Sequence, residues 1–540
     1  MLGIKFDNLR GDLFGGLTAG VVALPLALAF GEASGAGPIA GLYGAIIVGF
    51  FAALFGGTGS QISGPTGPMI VVFAGVFGAL SGNPGLVFAT VVLAGVIQVG
   101  FGIFKLGQYI KLVPYPVVSG FMTGIGCIII ALQASRLFGH EPEGSGTIPA
   151  LTAIPGAVLD PNWVALGLGL LTLIIVFTWP AKMAKIVPPP LAALVIGTLL
   201  STIIAGAPLL GDIPTGLPSF VIPEFRADTI VIVFEAAFVL ALLGSLDSLL
   251  TSLVADNMTR TKHNSNQELI GQGIGNVFAG FFGGIPGAGA TMRTVVNIRT
   301  GGLTKISGMI HSALLFAVVV SLGPLAAQIP HAVLAGILVK VGYDIVDLAY
   351  LKRAHKGPRW DLLLMVLVLT LTVFVDLITA VIAGVVLASL AFVKQMADLQ
   401  LESIKNLEEG IDQLVPSEEE EILKDVADSV TLFDFNGPLS FGAAADLGHH
   451  VRLKAKGSSA LVIDFLQVPF LDVSAARAVA TICQDATEAK KRIFISGMNS
   501  KVKQVLIALQ EDSVLPEMFY ENRKDALEAT RKFILAAQKN

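Results

Sequence analysis

Long apolar runs, separated by short polar or glycine- and proline-rich stretches, dominate the first three-quarters of the chain. Runs that reach or approach a spanning length begin near residues 13, 40, 86, 116, 163, 190, 229, 306, 362 and 380. Shorter runs follow Pro68, Glu268, Met292 and Ala332. A spanning helix needs about 20 residues, so the pattern predicts a polytopic α-helical membrane protein of about 14 segments. We divide these segments into two sets of seven near residue 208.

Two breaks in the apolar region resemble each other. Residues 64–69 read GPTGPM, and residues 287–293 read GAGATMR. Lipid tolerates irregular backbone only where that backbone faces protein or water. Interrupted segments at corresponding positions of two halves indicate the substrate site of a transporter. The pattern therefore predicts that helices starting at Thr66 and Thr291 point their N-termini at each other near the middle of the membrane.

The composition agrees with a membrane protein and excludes an ordinary soluble one. Hydrophobic residues make up 54% of the chain, charged residues only 14%, and the mean hydropathy is +0.76. The two cysteines provide neither a disulfide framework nor a metal-ligand spacing. No phosphate-binding GxxxxGK[ST] motif of an ATPase occurs, and no nucleophile, base and orienting group recur in one segment. The sequence therefore predicts neither an enzyme nor a catalytic residue.

Basic residues fall mainly in every second loop. With an internal N-terminus, the outward loops carry almost no lysine or arginine, Arg226 being the main exception. The inward loops carry Lys105, Lys111, Lys182, Lys185, Arg260, Lys262, Arg299, Lys305, Lys352, Arg353, Lys356 and Arg359. Positive charge gathers on the cytoplasmic side of membrane proteins. We therefore predict a multi-pass protein of the inner (plasma) membrane with both termini in the cytoplasm.

The character of the chain changes after the last apolar run. We assign residues 1–395 to a transmembrane domain and residues 396–428 to an acidic, partly helical linker. Residues 429–540 alternate β-type runs, at 430–435, 460–465 and 492–496, with helical patterns. This alternation predicts a small cytoplasmic α/β domain.

Several stretches resemble the SulP family of sulphate permeases and anion transporters, which end in a STAS domain. They are PLALAF at 25–30 followed by GLY at 41–43, NQELIGQGIGN at 266–276 and VPFLDVSA at 468–475. A closer likeness is to the BicA type of sodium-dependent bicarbonate transporters in that family. It rests on GDLFGG at 11–16, SLD at 245–247, AD at 255–256 and HNSN at 263–266. The resemblance implies two inverted seven-segment repeats that form a core and a gate domain, and a homodimer.

The breaks and one intramembrane carboxylate supply the candidate site. Half-helix N-termini offer unpaired N–H groups and a positive dipole end to a small anion. We predict anion binding at Thr66, Gly67, Ala290, Thr291, Met292 and Arg293. Asp247 lies in an apolar span, where a charge costs about 3 kcal/mol or more and is usually functional. With Thr251 one turn later, Gly289 and Thr291, it would form an all-oxygen cation site, and BicA-type proteins bind sodium at the matching positions.

Arg293 departs from the BicA-type pattern, which has a small residue at that position. A guanidinium there would attract an anion, or replace sodium as the counter-charge of Asp247. Two alternatives are structural: Asp247 pairs with an arginine to hold helices together, or Arg293 lies at the cytoplasmic surface.

Other polar residues receive structural interpretations. Glu268 and Gln272 suggest a capping box at a helix start. The histidines at 263, 311, 331 and 355 are expected at segment ends, with proton coupling as the alternative. In the tail, Ser474 is a candidate regulatory phosphosite, although a purely structural loop is the preferred interpretation.

The leading hypothesis is a secondary active transporter of a small anion. We favour sodium-dependent bicarbonate uptake by elevator-like alternating access, with sodium as the coupling ion. The second hypothesis is transport of sulphate or a dicarboxylate, coupled to protons or to anion exchange. The third is an anion channel or a regulatory sensor. Membrane lipid is expected around the transmembrane domain, and no nucleic-acid partner is expected.

Overall fold

The computed structural model describes most of the chain. The described residues are 6–80, 83–110, 114–141, 147–184, 187–211, 218–375, 377–405, 419, 422, 426, 429–442, 444, 447, 451, 455, 457–508 and 516–539. They form two compact units, Met1–Val386 and Leu387–Asn540.

The membrane unit is helical at each of the fourteen predicted positions. Its first half contains α1 (Leu9–Ala33), α2 (Pro38–Phe55), α3 (Gly67–Ala79), α4 (Pro84–Ile103), α5 (Gly107–Ile110), α6 (Tyr115–Leu137), α7 (Thr147–Leu159), α8 (Trp163–Thr178), α9 (Ala181–Ala184) and α10 (Pro189–Ile203). Its second half contains α11 (Ile230–Thr259), α12 (Ser265–Phe281), α13 (Thr291–Arg299), α14 (Lys305–Ala326), α15 (His331–Ile345), α16 (Leu348–Leu351), a short 3-10 helix (Ala354–Lys356), α17 (Arg359–Phe374) and the start of α18 (Leu377–Lys405).

Several of these segments are shorter than a full span. Within the described residues, six helices are long and apolar enough to cross a bilayer, or up to seven if the bent pair α7 and α8 forms one span. The helices after the two breaks, α3 and α13, are among the short ones. Each break contains a two-residue strand, β1 (Ser63–Gly64) in the first and β2 (Ala288–Gly289) in the second. The sequence pattern does not predict α7, because it places an outward loop in this region, near Glu141.

The helices form two packing groups that agree with a core and a gate. In the first group, α12 packs between α2 and α4, while α14 packs on α1 and α2. In the second, α6 packs on α15 and α17, while α8 packs on α10 and α15. Contacts of α1 with α15 and of α3 with α6 join the groups.

Glycines permit a close contact between helices α4 and α12 of the core. A Cβ atom on Gly95 would lie 2.5 Å from the Gly273 carbonyl oxygen, and one on Gly273 would lie 2.5 Å from the Gly95 oxygen. Small residues let membrane helices approach closely and gain dispersion energy. The many glycines of the sequence thus hold the core together.

The tail is the α/β domain that the sequence predicted. Strands β3 (Val430–Asn436), β4 (Ala460–Gln467) and β5 (Arg492–Ser496) form a parallel sheet in that order. Helices α19 (Val473–Glu488), α20 (Ser500–Ala508) and α21 (Arg523–Lys539) follow the strands, with a 3-10 turn at Pro516–Met518. Alternate β4 residues pack into two hydrophobic clusters, one containing Ile463 and Phe465 and the other Val462.

The linker boundaries at residues 396 and 428 stay a prediction. Helix α18 continues through residue 396 to Lys405. Most residues from 406 to 428 lie outside the described part of the chain.

Arg523 compensates three carboxylates in the tail. Its Nε lies 2.8 Å from Glu419 Oε2, and its Nη1 lies 3.3 Å from Asp434 Oδ2 and 3.7 Å from Asp464 Oδ2. Burial and the neighbouring Asp464 raise the pKa of Asp434, although Arg523 opposes this. A carboxyl with a raised folded-state pKa adds stability at low pH that is lost as the pH rises through that pKa.

We therefore expect Arg523→Gln to destabilise the tail by about 3 kcal/mol at pH 7.5, since it removes the cation that pairs with these three carboxylates. The loss should shrink at pH 5, where Asp434 takes up a proton more readily. Hydrogen exchange of the β4 amides in the full-length protein measures both effects. Arg492→Gln, at an exposed position of β5, is the matched control. Equal protection in the two variants at both pH values would contradict this role of Arg523.

Candidate functional site

The two breaks in the membrane unit pair with each other. Residues Ser63–Gly64 (β1) and Ala288–Gly289 (β2) form an antiparallel ladder, with Ser63 opposite Gly289 and Gly64 opposite Ala288. The Ala290 N–H extends the ladder by donating to the Ile62 carbonyl oxygen at 2.8 Å. Irregular backbone inside the membrane thus finds its hydrogen bonds within the protein. The predicted meeting of the two halves is present.

This pairing requires glycine. Gly64 has a φ of 149°, and a Cβ atom there would lie 2.8 Å from Nη1 of Arg293. A Cβ atom on Gly287 would lie 2.6 Å from the carbonyl carbon of Gly64. Neither position accepts a larger residue without displacing backbone or a buried guanidinium, which is the physical reason for glycine in both motifs.

A helix begins directly after each strand. Helix α3 starts at Gly67 with Thr66 as its N-cap, and α13 starts at Thr291 with Ala290 as its N-cap. No side chain caps either of these two described helix starts. The N–H groups of a first helical turn lack intrahelical acceptors, and the helix dipole makes that end positive. The arrangement can therefore accept an anion at both helix starts.

Oxygen atoms from α11 contact the second break. Thr251 Oγ1 donates to the Gly289 carbonyl oxygen at 3.0 Å and lies 2.7 Å from Thr291 Oγ1. One turn earlier, Ser248 Oγ accepts a hydrogen bond from the Gly289 N–H at 3.0 Å. Three of the four predicted cation ligands are thus in direct contact. Hydroxyl and carbonyl oxygens are ligands that suit hard cations.

Asp247 faces the same region from α11. The Thr66 hydroxyl has no hydrogen-bond partner among the described residues, and the Asp247 carboxylate experiences the positive charge of Arg293. Its Oδ2 atom is buried and has no hydrogen-bond partner among the described residues. The side chain lines a cavity of about 30 Å³ whose other walls are apolar side chains of α3, α6 and α11. A cavity of that size holds about one water molecule or a small ion.

Arg293 is buried between the breaks. Only 3% of its surface is exposed, and its Nη2 donates to the Pro65 carbonyl oxygen at 2.6 Å. The alternative that placed this arginine at the cytoplasmic surface is therefore wrong. The alternative that pairs Asp247 with an arginine stays a prediction, because the charges of Arg293 and Asp247 act on each other without a direct ion pair between them among the described residues.

The structure brings together most residues of the predicted anion site. Thr66 and Gly67 lie at the start of α3, while Ala290, Thr291 and Arg293 lie at the start of α13. The Met292 side chain is 63% exposed, so its contribution at a helix N-terminus would be its backbone N–H.

Buried polar side chains of α12 hydrogen-bond to both breaks, a role that the sequence pattern does not predict. Asn276 donates from Nδ2 to the Gly287 carbonyl oxygen at 2.9 Å and accepts from the Gly287 N–H at 2.8 Å. Gln272 Nε2 donates to Ser63 Oγ at 2.6 Å. The available signal was the spacing of Glu268, Gln272 and Asn276, which places these three side chains on one face of α12.

Glu268 has a different role from the predicted capping box. Asn264 caps α12, so Glu268 is the fourth helical residue rather than the third. Its Oε2 accepts from the N–H groups of Gly57 and Thr58, each at 2.9 Å. Its Oε1 accepts at 2.8 Å from Nε2 of both Gln61 and Gln272. The carboxylate thus fixes the loop that leads from α2 to β1.

Glu268→Gln should lower the stability of the protein by about 2 to 3 kcal/mol, because an amide nitrogen would replace one acceptor and face two donors. A lower melting temperature of the purified protein in detergent is the expected result. Glu224→Gln is the control, since that side chain is about half exposed and pairs only with Arg226 among the ion pairs described. If both variants melted at the wild-type temperature, the four hydrogen bonds of Glu268 would contribute little to the stability of the protein.

The positions of two further residues bear on what was predicted for them. His311 is fully buried within α14 rather than at a segment end. Ser474 is the second residue of α19 and is exposed. The neighbouring Asp472 caps α19 by accepting from the Ala475 N–H at 2.8 Å, and it also accepts from the Phe441 N–H at 2.7 Å. These contacts give the loop a structural role, and phosphorylation of Ser474 stays a prediction.

Comparison with known proteins agrees with this architecture. The profile of the Sulfate permease family matches residues 9–368, and that of the STAS domain matches residues 421–526. The chain is 45% identical to the bicarbonate transporter BicA of Synechocystis over 97% of its own length and 94% of that protein.

Solved structures extend the comparison. The transmembrane domain of a cyanobacterial BicA matches with 51% identity and a TM-score of 0.67, covering 70% of this chain and 98% of that one. The murine anion transporter Slc26a9 in its inward-facing state, at 19% identity, shares the fold with a TM-score of 0.82 over 99% of this chain and 92% of that one. The chain therefore belongs to the sulfate permease family of multi-pass membrane transporters, is not an enzyme, and ends in a STAS domain.

Proposed function

We propose that the protein is a secondary active transporter that takes up bicarbonate together with sodium. The observation that carries the proposal is the pairing of the two breaks, which brings two uncapped helix starts and the Asp247 carboxylate to one region. This region therefore offers N–H donors that suit an anion and oxygen ligands that suit a cation.

The anion would bind at the starts of α3 and α13. A small anion must replace its hydration when it leaves water, and fixed N–H groups with two positive helix dipoles supply that replacement. Bicarbonate is planar and carries oxygen acceptors on one carbon, so the N–H groups near Gly67, Thr291 and Met292 fit its chemistry. The relatives named above as bicarbonate transporters support this choice of anion.

Sodium would bind beside the anion at Asp247, Thr251, Gly289 and Thr291. The donors are a carboxylate, two hydroxyls and a carbonyl, all of them oxygen, and no imidazole or thiolate belongs to the set. The unpaired Oδ2 of Asp247 supports the assignment, because a buried carboxylate oxygen without a partner is costly. Sodium and bicarbonate bound together would each lower the cost of desolvating the other, which couples their movement.

Transport of sulphate or a dicarboxylate is the second candidate. The buried guanidinium of Arg293 favours it, since a fixed positive charge near Asp247 can take the place of sodium. Coupling would then come from protons or from exchange of anions.

Movement of the core past the gate would carry the site across the membrane. The grouping of helices into two packed sets supports such an elevator-like step, with Asp247 lining the cavity where α3 and α11 of the core meet α6 of the gate. A cytoplasmic location of both termini in an inner (plasma) membrane, and assembly as a homodimer, belong to the same proposal.

Uptake of radiolabelled bicarbonate and sulphate into proteoliposomes tests the proposal. Each anion is offered with an inward sodium gradient, an inward proton gradient or no gradient, and protein-free liposomes at pH 8 correct for carbon dioxide diffusion. Saturable bicarbonate accumulation driven by sodium is the expected result. Sulphate uptake indifferent to sodium would favour the second candidate. Uptake that never exceeds equilibrium under any gradient would indicate a channel or a sensor.

A further inference from the structure

Three potential metal ligands meet at the predicted outer face of the membrane unit, and none of them belongs to the site described above. They are Glu32 at the end of α1, Glu141 after α6 and His331 at the start of α15. His331 Nδ1 lies 3.2 Å from Glu32 Oε1 and 3.8 Å from Glu141 Oε1. One ligand atom from each residue lies within 4.8 Å of the other two.

The backbone holds His331 in a defined orientation. The segment after α10 pairs with the segment before α15 through a bridge between Leu209 and Pro330. The His331 N–H donates to the Pro208 carbonyl oxygen at 3.1 Å, and its Nε2 lies 3.0 Å from the Leu209 carbonyl oxygen. A carbonyl only accepts, so Nε2 carries the proton. In the neutral ring the lone pair therefore lies on Nδ1, which faces the carboxylates.

Such an arrangement is typical of a metal-bound histidine. The ring nitrogen that does not bind the metal usually donates to a carbonyl or carboxylate, which fixes the tautomer. Nδ1 of His331 is buried and makes no hydrogen bond of good geometry with the described residues. In a tetrahedral zinc site with bonds of about 2.0–2.1 Å, two ligand atoms lie about 3.3 Å apart. The observed 3.2 and 3.8 Å separations are close to that value.

Charge and access also suit a divalent cation. Among the described residues, Arg136 of α6 is the other charged group that acts on His331. The two carboxylates carry more charge than this one cation, so the described groups leave a net negative charge when the imidazole is neutral. The Glu141 side chain is 64% exposed. Glu141 and Arg136 also line a cavity of about 440 Å³, so water and ions reach the cluster.

We propose that Glu32, Glu141 and His331 form a binding site for a divalent transition-metal ion of the zinc type. Imidazole with carboxylates is a ligand set that suits zinc. The ion would link α1 of the core to α15 of the gate. If the core moves past the gate, as the proposed function requires, the bound ion would hold the two groups together at the outer face and inhibit transport.

Metal binding is tested first, independently of transport. Untagged full-length protein, stripped with chelator in detergent, is titrated with Zn²⁺ by calorimetry and with Co²⁺ by visible absorption. One saturable Zn²⁺ per chain and the strong visible bands of four-coordinate Co²⁺ are expected. His331→Gln and Glu141→Gln should each weaken Zn²⁺ binding at least tenfold. His355→Gln and Glu224→Gln are matched controls away from the cluster and should bind like the wild type.

Absence of saturable binding, or equal binding by the wild type and the His331→Gln and Glu141→Gln variants, would overturn the proposed site. The cluster would then be an ion pair between a protonated His331 and Glu32.

Inhibition of transport is tested afterwards in proteoliposomes, with whichever anion the protein accumulates. Zn²⁺ should slow uptake by the wild type and leave uptake by His331→Gln unaffected. Zinc binding without inhibition would overturn the link between core and gate. A protein without uptake activity would overturn the proposed function and leave the binding result unchanged.

Discussion

Asp247→Asn is expected to reduce sodium-driven uptake about 100-fold while the protein still folds. The substitution removes the only carboxylate of the proposed cation site, and a hard cation gains most of its binding energy from charged oxygen ligands. Folding should be preserved because asparagine has nearly the same shape, and because Oδ2 of Asp247 has no hydrogen-bond partner to lose among the described residues. Proteoliposome uptake at several sodium concentrations measures the effect.

A second measurement shows whether Asp247→Asn loses transport because it no longer binds sodium or for a different reason. Sodium chloride should raise the melting temperature of the wild type above that in an equal concentration of choline chloride, since a ligand that binds only the folded state stabilises it. Asp247→Asn should lose this difference. Asp228→Asn, at an exposed position before α11, should keep it. Normal uptake and unchanged sodium stabilisation in Asp247→Asn would disprove the cation assignment.

Local sequence signals predicted the fourteen apolar segments of the membrane unit and the strands of the tail, but not the helix α7. Apolar run length located the fourteen segments, and the Gly-Pro and Gly-Ala motifs located the breaks, because lipid forbids irregular backbone except where protein or water surrounds it. In the tail, the predicted runs at 430–435, 460–465 and 492–496 coincide with the strands. Each of these segments, breaks and strands is determined by its own residues and by whether lipid, water or protein surrounds it.

Features that depend on distant partners were not predicted. The role of Glu268 depends on the loop at Gly57 and Thr58, far away in the chain. The burial of His311 results from the packing of α14 on α1 and α2. Arg293 was assigned alternatives at the surface and in the site, because one sequence gives the spacing of a residue along its helix but not what packs against it.

Arg293→Ala is expected to raise the KM for the transported anion by about 10- to 100-fold. A charge-assisted hydrogen bond contributes about 1.5 to 3 kcal/mol, and each 1.4 kcal/mol corresponds to a factor of ten. Arg299→Ala is the matched control, because Arg299 lies in the last turn of the same helix and is exposed. Uptake kinetics over a range of anion concentrations, at saturating sodium, measure the change.

The sodium dependence of the same variant distinguishes the two candidate functions. If Arg293 contacts the anion beside a sodium ion, its removal leaves sodium as the counter-charge of Asp247, and uptake should depend on sodium more steeply than in the wild type. If Arg293 replaces sodium, the variant should lose transport under every gradient, because the charge of Asp247 is then uncompensated and costly to move through the membrane. A KM and sodium dependence equal to those of Arg299→Ala would instead limit Arg293 to its bond with the Pro65 carbonyl.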